Sequence, residues 1–305
     1  MRLEEDPQQS APAGGGQPDS GEPDGGHSGQ RRPINTGRNL PAALAVGVLL
    51  GGLALLTVLT IKGTFLIYVG LILVVALWEL GNALASRDIH LPLVPIAGGG
   101  AAMMSLAYFS TPKWVLAAAG LTAVVIFAWR LPRGAAGYVR DVTAGLFTLA
   151  YLPLMGLFVA LMLAVPDGAR RVVIFLILTV CSDTGGYLAG IVFGRHPMVP
   201  AISPKKTWEG LAGSLLLTMA AAVITLKLLL GGQVWQGVLL GAAAVAASTL
   251  GDLVESMIKR DLAIKDMGHL LPGHGGVMER LDSLLIMAPV IWLLLTVFVP
   301  NGHAT

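Results

Sequence analysis

From residue 40 to residue 300 the chain is a succession of apolar segments separated by short polar breaks. They cover 40–61, 64–85, 91–109, 114–129, 142–165, 171–193, 210–230, 234–255 and 283–300. A helix needs about 20 apolar residues to cross the hydrocarbon core of a bilayer. No water is available there, so each backbone N–H and C=O must be satisfied within the segment. The pattern therefore predicts an all-α, polytopic integral membrane protein with nine transmembrane helices, the third and fourth being the shortest. Trp114, Trp129, Trp208 and Trp235 stand at segment ends, where amphipathic rings sit at the membrane–water interface.

Composition closes off the other classes. Hydrophobic residues make up 54% and charged residues 12% of the 305-residue chain, whereas a soluble domain carries about 25% charge. A folded body of this size with so little charge is a poor soluble enzyme, disordered protein or nucleic-acid-binding module. The single cysteine, Cys181, excludes an intramolecular disulfide, and its apolar surroundings predict a packed thiol.

Residues 1–39 differ from the rest. They are rich in Gly, Pro, Ser, Gln and Asp, cannot bury enough apolar surface to offset ordering entropy, and read as a disordered tail. No short charged start leads directly into an apolar core, so the tail does not read as a secretory signal. Three regions are expected: the tail, N-terminal helices over 40–165, and C-terminal helices with the catalytic loops over 166–305.

The few charges are sorted along the chain. With the N-terminus in the cytoplasm, the inner segments carry 15 of the 20 Lys and Arg residues and the outer connections carry 4; Lys227 lies within a span. The positive-inside rule then predicts a cytoplasmic N-terminus in a multi-pass protein of the cell (inner or plasma) membrane. Of the 12 acidic residues outside the tail, eight fall between Asp183 and Asp282, which places the chemistry in the C-terminal third.

Three elements stand out there. Asp183 lies about ten residues, or roughly 15 Å, from the inner end of its span. A carboxylate at that depth costs several kcal/mol unless it is paired, metal-bound or facing water. Thr184, Gly185 and Gly186 follow and suggest a local loosening of the helix. The competing reading is a neutral or Arg-paired structural aspartate. The second element is Ser203-Pro204-Lys205-Lys206-Thr207-Trp208-Glu209-Gly210. Ser203 or Thr207 is placed to cap the following helix, whose free N–H groups and positive end favour an anion. The two lysines beside it make a phosphate-sized site, although any inner loop can carry a Lys-Lys pair. The third element spans 252–282. Asp252 and Glu255 share one helix face. Beyond them come Lys259, Arg260, Asp261, Lys265, Asp266, His269, His274, Glu279, Arg280 and Asp282, with Gly273, Gly275 and Gly276 among them. Carboxylates suit Mg²⁺, cations suit phosphate oxygens, and glycines let backbone approach a ligand. The competing reading is a solvated loop with paired charges. His269 and His274 lack the close spacing and the cysteines of a zinc site. Glu79, within the second span, reads as a buried polar contact outside the site.

Residues Ser256, Lys259, Arg260, Lys265, Asp266, Pro272, Gly273, His274, Gly275, Gly276, Arg280 and Asp282 resemble the signature of the CDP-diacylglycerol synthases, or phosphatidate cytidylyltransferases. That signature runs Ser-x-apolar-Lys-Arg, then Lys-Asp, then Pro-Gly-His-Gly-Gly, then Asp-Arg-x-Asp. Residues 203–210 are similar to the family's Ser-Pro-x-Lys-Thr-x-Glu-Gly element, and Ser182-Asp183-Thr184 with Tyr187 to its intramembrane aspartate motif. One departure is Glu279, where the family has Asp.

The resemblance implies the reaction of CTP with phosphatidate, at the lipid bilayer, to give CDP-diacylglycerol and diphosphate in phospholipid synthesis. It implies Mg²⁺ as cofactor, held by Asp183, Asp252, Asp266 and Asp282. Lys265 and Arg280 are implied with Asp183, Asp252 and Asp266 in the reaction itself. Ser203, Lys205, Lys206, Thr207, Glu209, Lys259, Arg260, His274, Gly275 and Gly276 are implied in substrate binding. A homodimer is left open. The competing activities are a CTP-dependent prenol or dolichol kinase, an archaeal-type CDP-lipid synthase and, on different grounds, a transporter. A transporter would spread charges through several spans or show an inverted repeat; no clear repeat is visible.

Overall fold

In a computed structural model of the chain, residues 40–200, 203–268, 270 and 275–300 are described. The expected tail lies outside them. Ten helices and one short hairpin follow in order: α1 (Leu40–Thr60), α2 (Lys62–Ala85), α3 (Leu93–Phe109), α4 (Pro112–Arg130), α5 (Tyr138–Tyr151), α6 (Pro153–Ala164), α7 (Gly168–Phe193), β1 (Pro197–Val199), β2 (Ser203–Thr207), α8 (Trp208–Leu230), α9 (Val234–Asp261) and α10 (Met278–Phe298). A 3₁₀ turn at Leu131–Arg133 extends α4.

The protein is an all-α, multi-pass membrane protein. Among the described residues, seven helical segments are long and apolar enough to cross a membrane, and Val46–Thr60 and Leu93–Phe109 are shorter apolar helices. The fifth expected span is broken into α5 and α6. Pro153 supplies no N–H and opens the new helix at its first turn, while Leu152 sits at φ −91° and ψ −70°. The two halves still make one 27-residue segment, Tyr138–Ala164. The eighth span runs past its expected end to Asp261, because 256–261 contains no helix breaker.

Helices α7 and α8 cross antiparallel, Gly185 facing Gly213 and Gly190 facing Gly210, and so do α8 and α9. The most extensive contacts are α7 with α8, α8 with α9 and α9 with α10, then α3 with α6 and α4. Small residues allow the close crossings. A Cβ on Gly237 would lie 2.5 Å from the Val223 Cα, and one on Gly241 equally close to the Met219 Cα, so α8 and α9 meet backbone to backbone. Two apolar clusters fill the interior. One joins α2 to α6 with the facing ends of α9 and α10, and includes Leu80, Ile96, Met103, Ile126 and Leu152. The other joins α6 to α10 and includes Leu163, Ile174, Leu178, Leu226, Leu240 and Ile291. Leu49, Leu59, Leu116, Leu216 and Leu228 point outward, as helices solvated by lipid tails require. All four interfacial tryptophans named above are about half exposed.

Buried ions close both ends of the bundle. Arg171, 2% exposed, donates to the Leu295 carbonyl at 3.1 Å and to the Val299 carbonyl at 2.6 Å, and pairs with Asp167 at 2.9 Å. It thereby ties the start of α7 to the end of α10. At the opposite end Arg130 pairs with Asp141 at 2.7 Å, joining α4 to α5.

Candidate active site

The C-terminal end of α7, the N-terminal end of α8, the C-terminal end of α9 and the N-terminal end of α10 meet at one end of the bundle. Helix α7 runs unbroken through Gly185 and Gly186, contrary to the loosening expected there. These glycines serve packing instead. A Cβ on Gly185 would lie 2.7 Å from the Gly213 carbonyl oxygen, and one on Gly186 2.7 Å from the Ser214 Oγ. Their absence lets α8 seat against the α7 face that carries Asp183. The Ser214 hydroxyl donates to the Ser182 carbonyl at 2.6 Å and fixes that register.

Between these elements lies a cavity of about 270 Å³. Its walls are Ser182, Asp183, Gly186, Tyr187 and Gly190 of α7; Met198, Lys206 and Thr207 of the hairpin; Gly210, Leu211 and Ser214 of α8; and Ser248, Thr249 and Asp252 of α9. The hairpin was not foreseen from the sequence. Antiparallel pairing of Pro197 with Thr207 and Val199 with Ser203 folds the 194–207 connection back over the cavity, which is how Lys206 reaches it.

Lys206 forms an ion pair with Asp252. Thr207 caps α8, its hydroxyl accepting from Gly210 N–H at 3.1 Å. The N–H of Trp208, the first residue of α8, donates to the His196 carbonyl at 3.0 Å. Glu209 does not line the cavity. It holds the hairpin's entry, accepting from the backbone N–H of Arg195 (3.2 Å) and His196 (3.3 Å), with His196 Nδ1 at 2.6 Å.

Asp183 is within electrostatic reach of Asp252, Lys206 and Arg280. Asp282 is within reach of Asp252 and Glu255. The cause is a close crossing: a Cβ on Gly251 would overlap the Asp282 carbonyl oxygen and lie 2.9 Å from the Ser283 Cα, so α9 and α10 touch beside both aspartates. Among the described residues, no three Asp, Glu, His or Cys side chains converge as a metal-binding group.

Other expected residues lie apart from the cavity. Lys259 pairs with Glu255 at 2.6 Å. Arg260 and Lys265 are exposed and Asp266 is half-buried; none of the three lines the cavity. Gly275 and Gly276 flank Glu279, which accepts from the Gly276 and Met267 N–H groups, the latter at 2.7 Å. Lys205 is described in backbone only, and His269 and His274 lie outside the described residues. Three residues that sequence reasoning missed border the carboxylates. The Tyr151 hydroxyl, in a residue 5% exposed at the α5–α6 break, is within reach of Asp282, Glu255 and Asp252 and has no hydrogen-bond partner among the described residues. No signal marks Tyr151 in the sequence except the Pro153 that follows. Ser248 and Thr249, hydroxyls one turn before Asp252, were equally silent.

A carboxylate within a spanning helix and a lysine beside a capped helix start, in one cavity, mark an integral membrane protein with a charged cavity at one end of its bundle. Residues 42–298 match the cytidylyltransferase family, to which the chain therefore belongs. It is 42% identical to the phosphatidate cytidylyltransferase of Mycobacterium leprae (strain TN) over 276 residues, covering 85% of this chain and 88% of the relative. It is 40% identical to that of Mycobacterium tuberculosis (strain ATCC 25618 / H37Rv) over 273 residues, covering 85% and 83%. A shorter match, 42% over 118 residues, covers 37% of this chain and 41% of the Haemophilus influenzae (strain ATCC 51907 / DSM 11121 / KW20 / Rd) phosphatidate cytidylyltransferase.

Proposed function

We infer that the protein is a phosphatidate cytidylyltransferase, converting CTP and phosphatidate to CDP-diacylglycerol and diphosphate. The observation that carries this is the meeting of Asp183, Lys206, Thr207 and Asp252 around one cavity in a chain with relatives of that name along 85% of its length. The chemistry asks for little else. A phosphate oxygen of phosphatidate attacks the α-phosphorus of CTP; that P–O bond forms as the bond to the bridging oxygen breaks, and diphosphate leaves. The nucleophile is already an anion, so positioning and charge neutralisation suffice.

The donor set fits Mg²⁺. Asp183 and Asp252 offer hard oxygens in the cavity, with Asp282 beside Asp252. Mg²⁺ commonly takes one or two carboxylates and completes its octahedron with water and substrate phosphate oxygens, so three converging protein ligands are not required. When bound, the metal supplies positive charge for the phosphates. Lys206 and Arg280 bind phosphate oxygens. Ser203 and Lys205 belong to the same strand. We assign Lys265, Asp266, Arg260 and His274 to contacts from the α9–α10 connection, outside the cavity wall. The hydroxyls of Ser248 and Thr249, which line the cavity, orient the nucleotide. With the N-terminus inside, this end of the bundle faces the cytoplasm of the cell membrane, where CTP is available.

The test uses purified protein in detergent with phosphatidate, Mg²⁺ and CTP labelled either in the cytidine or in the γ-phosphate. Cytidine label on the lipid is the expected result. Transfer of the γ-phosphate alone would make the protein a lipid kinase. CDP-diacylglycerol formation at the wild-type rate by Asp252→Ala would refute the site.

A further inference from the structure

Glu79 sits in α2, in the N-terminal half of the chain, six residues before the end of that helix. It is 1% exposed. Its Oε2 accepts the backbone N–H of Met278 at 2.9 Å. Met278 is the first residue of α10, so its N–H is one of the donors that a helix start leaves without an internal partner. A carboxylate there also faces the positive end of the helix dipole. Glu79 thus caps α10 from a helix 199 positions away in sequence, a separation that gave the sequence no sign of it.

The glycines of the α9–α10 connection close around the same carboxylate. A Cβ on Gly276 would lie 2.6 Å from the Glu79 Oε2, and one on Gly268 would overlap Oε1. In the turn that follows α2, eight residues after Glu79, Arg87 Nε donates to the Leu262 carbonyl at 2.9 Å, where the connection begins. Helix α2 and the turn after it therefore hold the connection at both ends. Helix α10, whose start Glu79 fixes, carries Arg280 and Asp282 in its first two turns. Among the described residues Oε1 has no hydrogen-bond partner, a standing cost in a buried group that an apolar residue would avoid.

We propose that Glu79 is a positioning residue of the transfer reaction: by capping α10 within a cradle of Gly268 and Gly276, it sets where Arg280 and Asp282 stand relative to Asp252. This rests on the cytidylyltransferase reading for its kinetic consequence, but not for its structural one. Glu79→Leu removes the acceptor and fills the space with apolar volume. Glu79→Gln keeps an oxygen for Met278 N–H.

The experiment compares wild type, Glu79→Leu and Glu79→Gln, purified in detergent, by steady-state kinetics, thermal unfolding and backbone hydrogen exchange. Glu79→Leu is expected to lower kcat about tenfold to a hundredfold, with KM for CTP changed less than about threefold. Exchange should rise at Met278 and over 262–268, while α7 and α8 stay protected and the unfolding temperature does not fall. Glu79→Gln should recover kcat to within about fivefold of wild type. Unchanged kcat and exchange in Glu79→Leu would overturn the proposal. So would equal loss in both variants, a rise in KM alone, or exchange that rises throughout the bundle with a fall in unfolding temperature. If the wild-type protein transfers no cytidylyl group, the proposed function fails and the local exchange at Met278 alone decides the role of Glu79.

Discussion

At the scale of single residues, two lysines that look alike in the sequence stand in different surroundings. Lys206 pairs with Asp252 at the cavity wall, whereas Lys259 pairs with Glu255, which is 2% exposed and apart from the cavity. Lys206→Met should therefore lower kcat/KM about tenfold to a hundredfold, by loss of a charged hydrogen bond to phosphate. Lys259→Met should act chiefly on stability, since it leaves a buried carboxylate without its cation, at a cost of about 3 kcal/mol. Parallel steady-state kinetics and thermal unfolding of the two variants check the contrast. Both lysines could be picked out from the sequence. Which of them meets the cavity could not, because that depends on the hairpin that turns 203–207 back toward α9. Glu79 is the converse case: its burial was legible from its place in an apolar span, but its partner was not.

At the scale of elements, the α7–α8 crossing determines whether the cavity exists. A Cβ on Gly213 would meet the Ala189 Cβ and lie 2.7 Å from the Gly185 carbonyl oxygen. Gly213→Val should overpack this crossing by about 1–3 kcal/mol, seen as a lower unfolding temperature, and should reduce activity because Asp183 lies on the displaced face. Thr207→Ala should cost about 1 kcal/mol through loss of the cap on Gly210 N–H, measured by the same unfolding assay. The cap itself was legible, since Thr207 precedes an apolar run. The glycines were legible only as glycines. In sequence they suggested a loosened helix; in the fold they are where a second helix presses closest.

At the scale of the whole molecule, the asymmetry of basic residues supports the proposed cytoplasmic N-terminus. Ser110 lies between α3 and α4 and Arg133 between α4 and α5, on opposite ends of α4. In a Cys181→Ala background, Ser110→Cys is expected to react with a membrane-impermeant maleimide added outside intact cells. Arg133→Cys should react only after the membrane is opened. The reverse pattern would place the N-terminus outside and the cavity on the wrong side for CTP.

The class of fold was settled by local composition. Apolar runs of helical length have few ways to satisfy their backbone in a bilayer, so nine segments could be placed, apart from the end of α9 at Asp261, the start of α10 at Met278 and the break at Pro153, whose effect depends on the neighbours packed against it. The motifs were legible too, because phosphate and metal chemistry restricts which side chains can serve. Only the tertiary structure decided which of these residues share a space. Asp183 and Asp252 face one cavity because glycines let α7 and α8 close, and Asp252 meets Asp282 because Gly251 lets α10 touch α9. Asp266 and Lys265 stand outside it although they lie within the same signature. Proximity across helices is a property of packing, set by pairs of small residues far apart in the chain, and no local pattern encodes which pairs will meet.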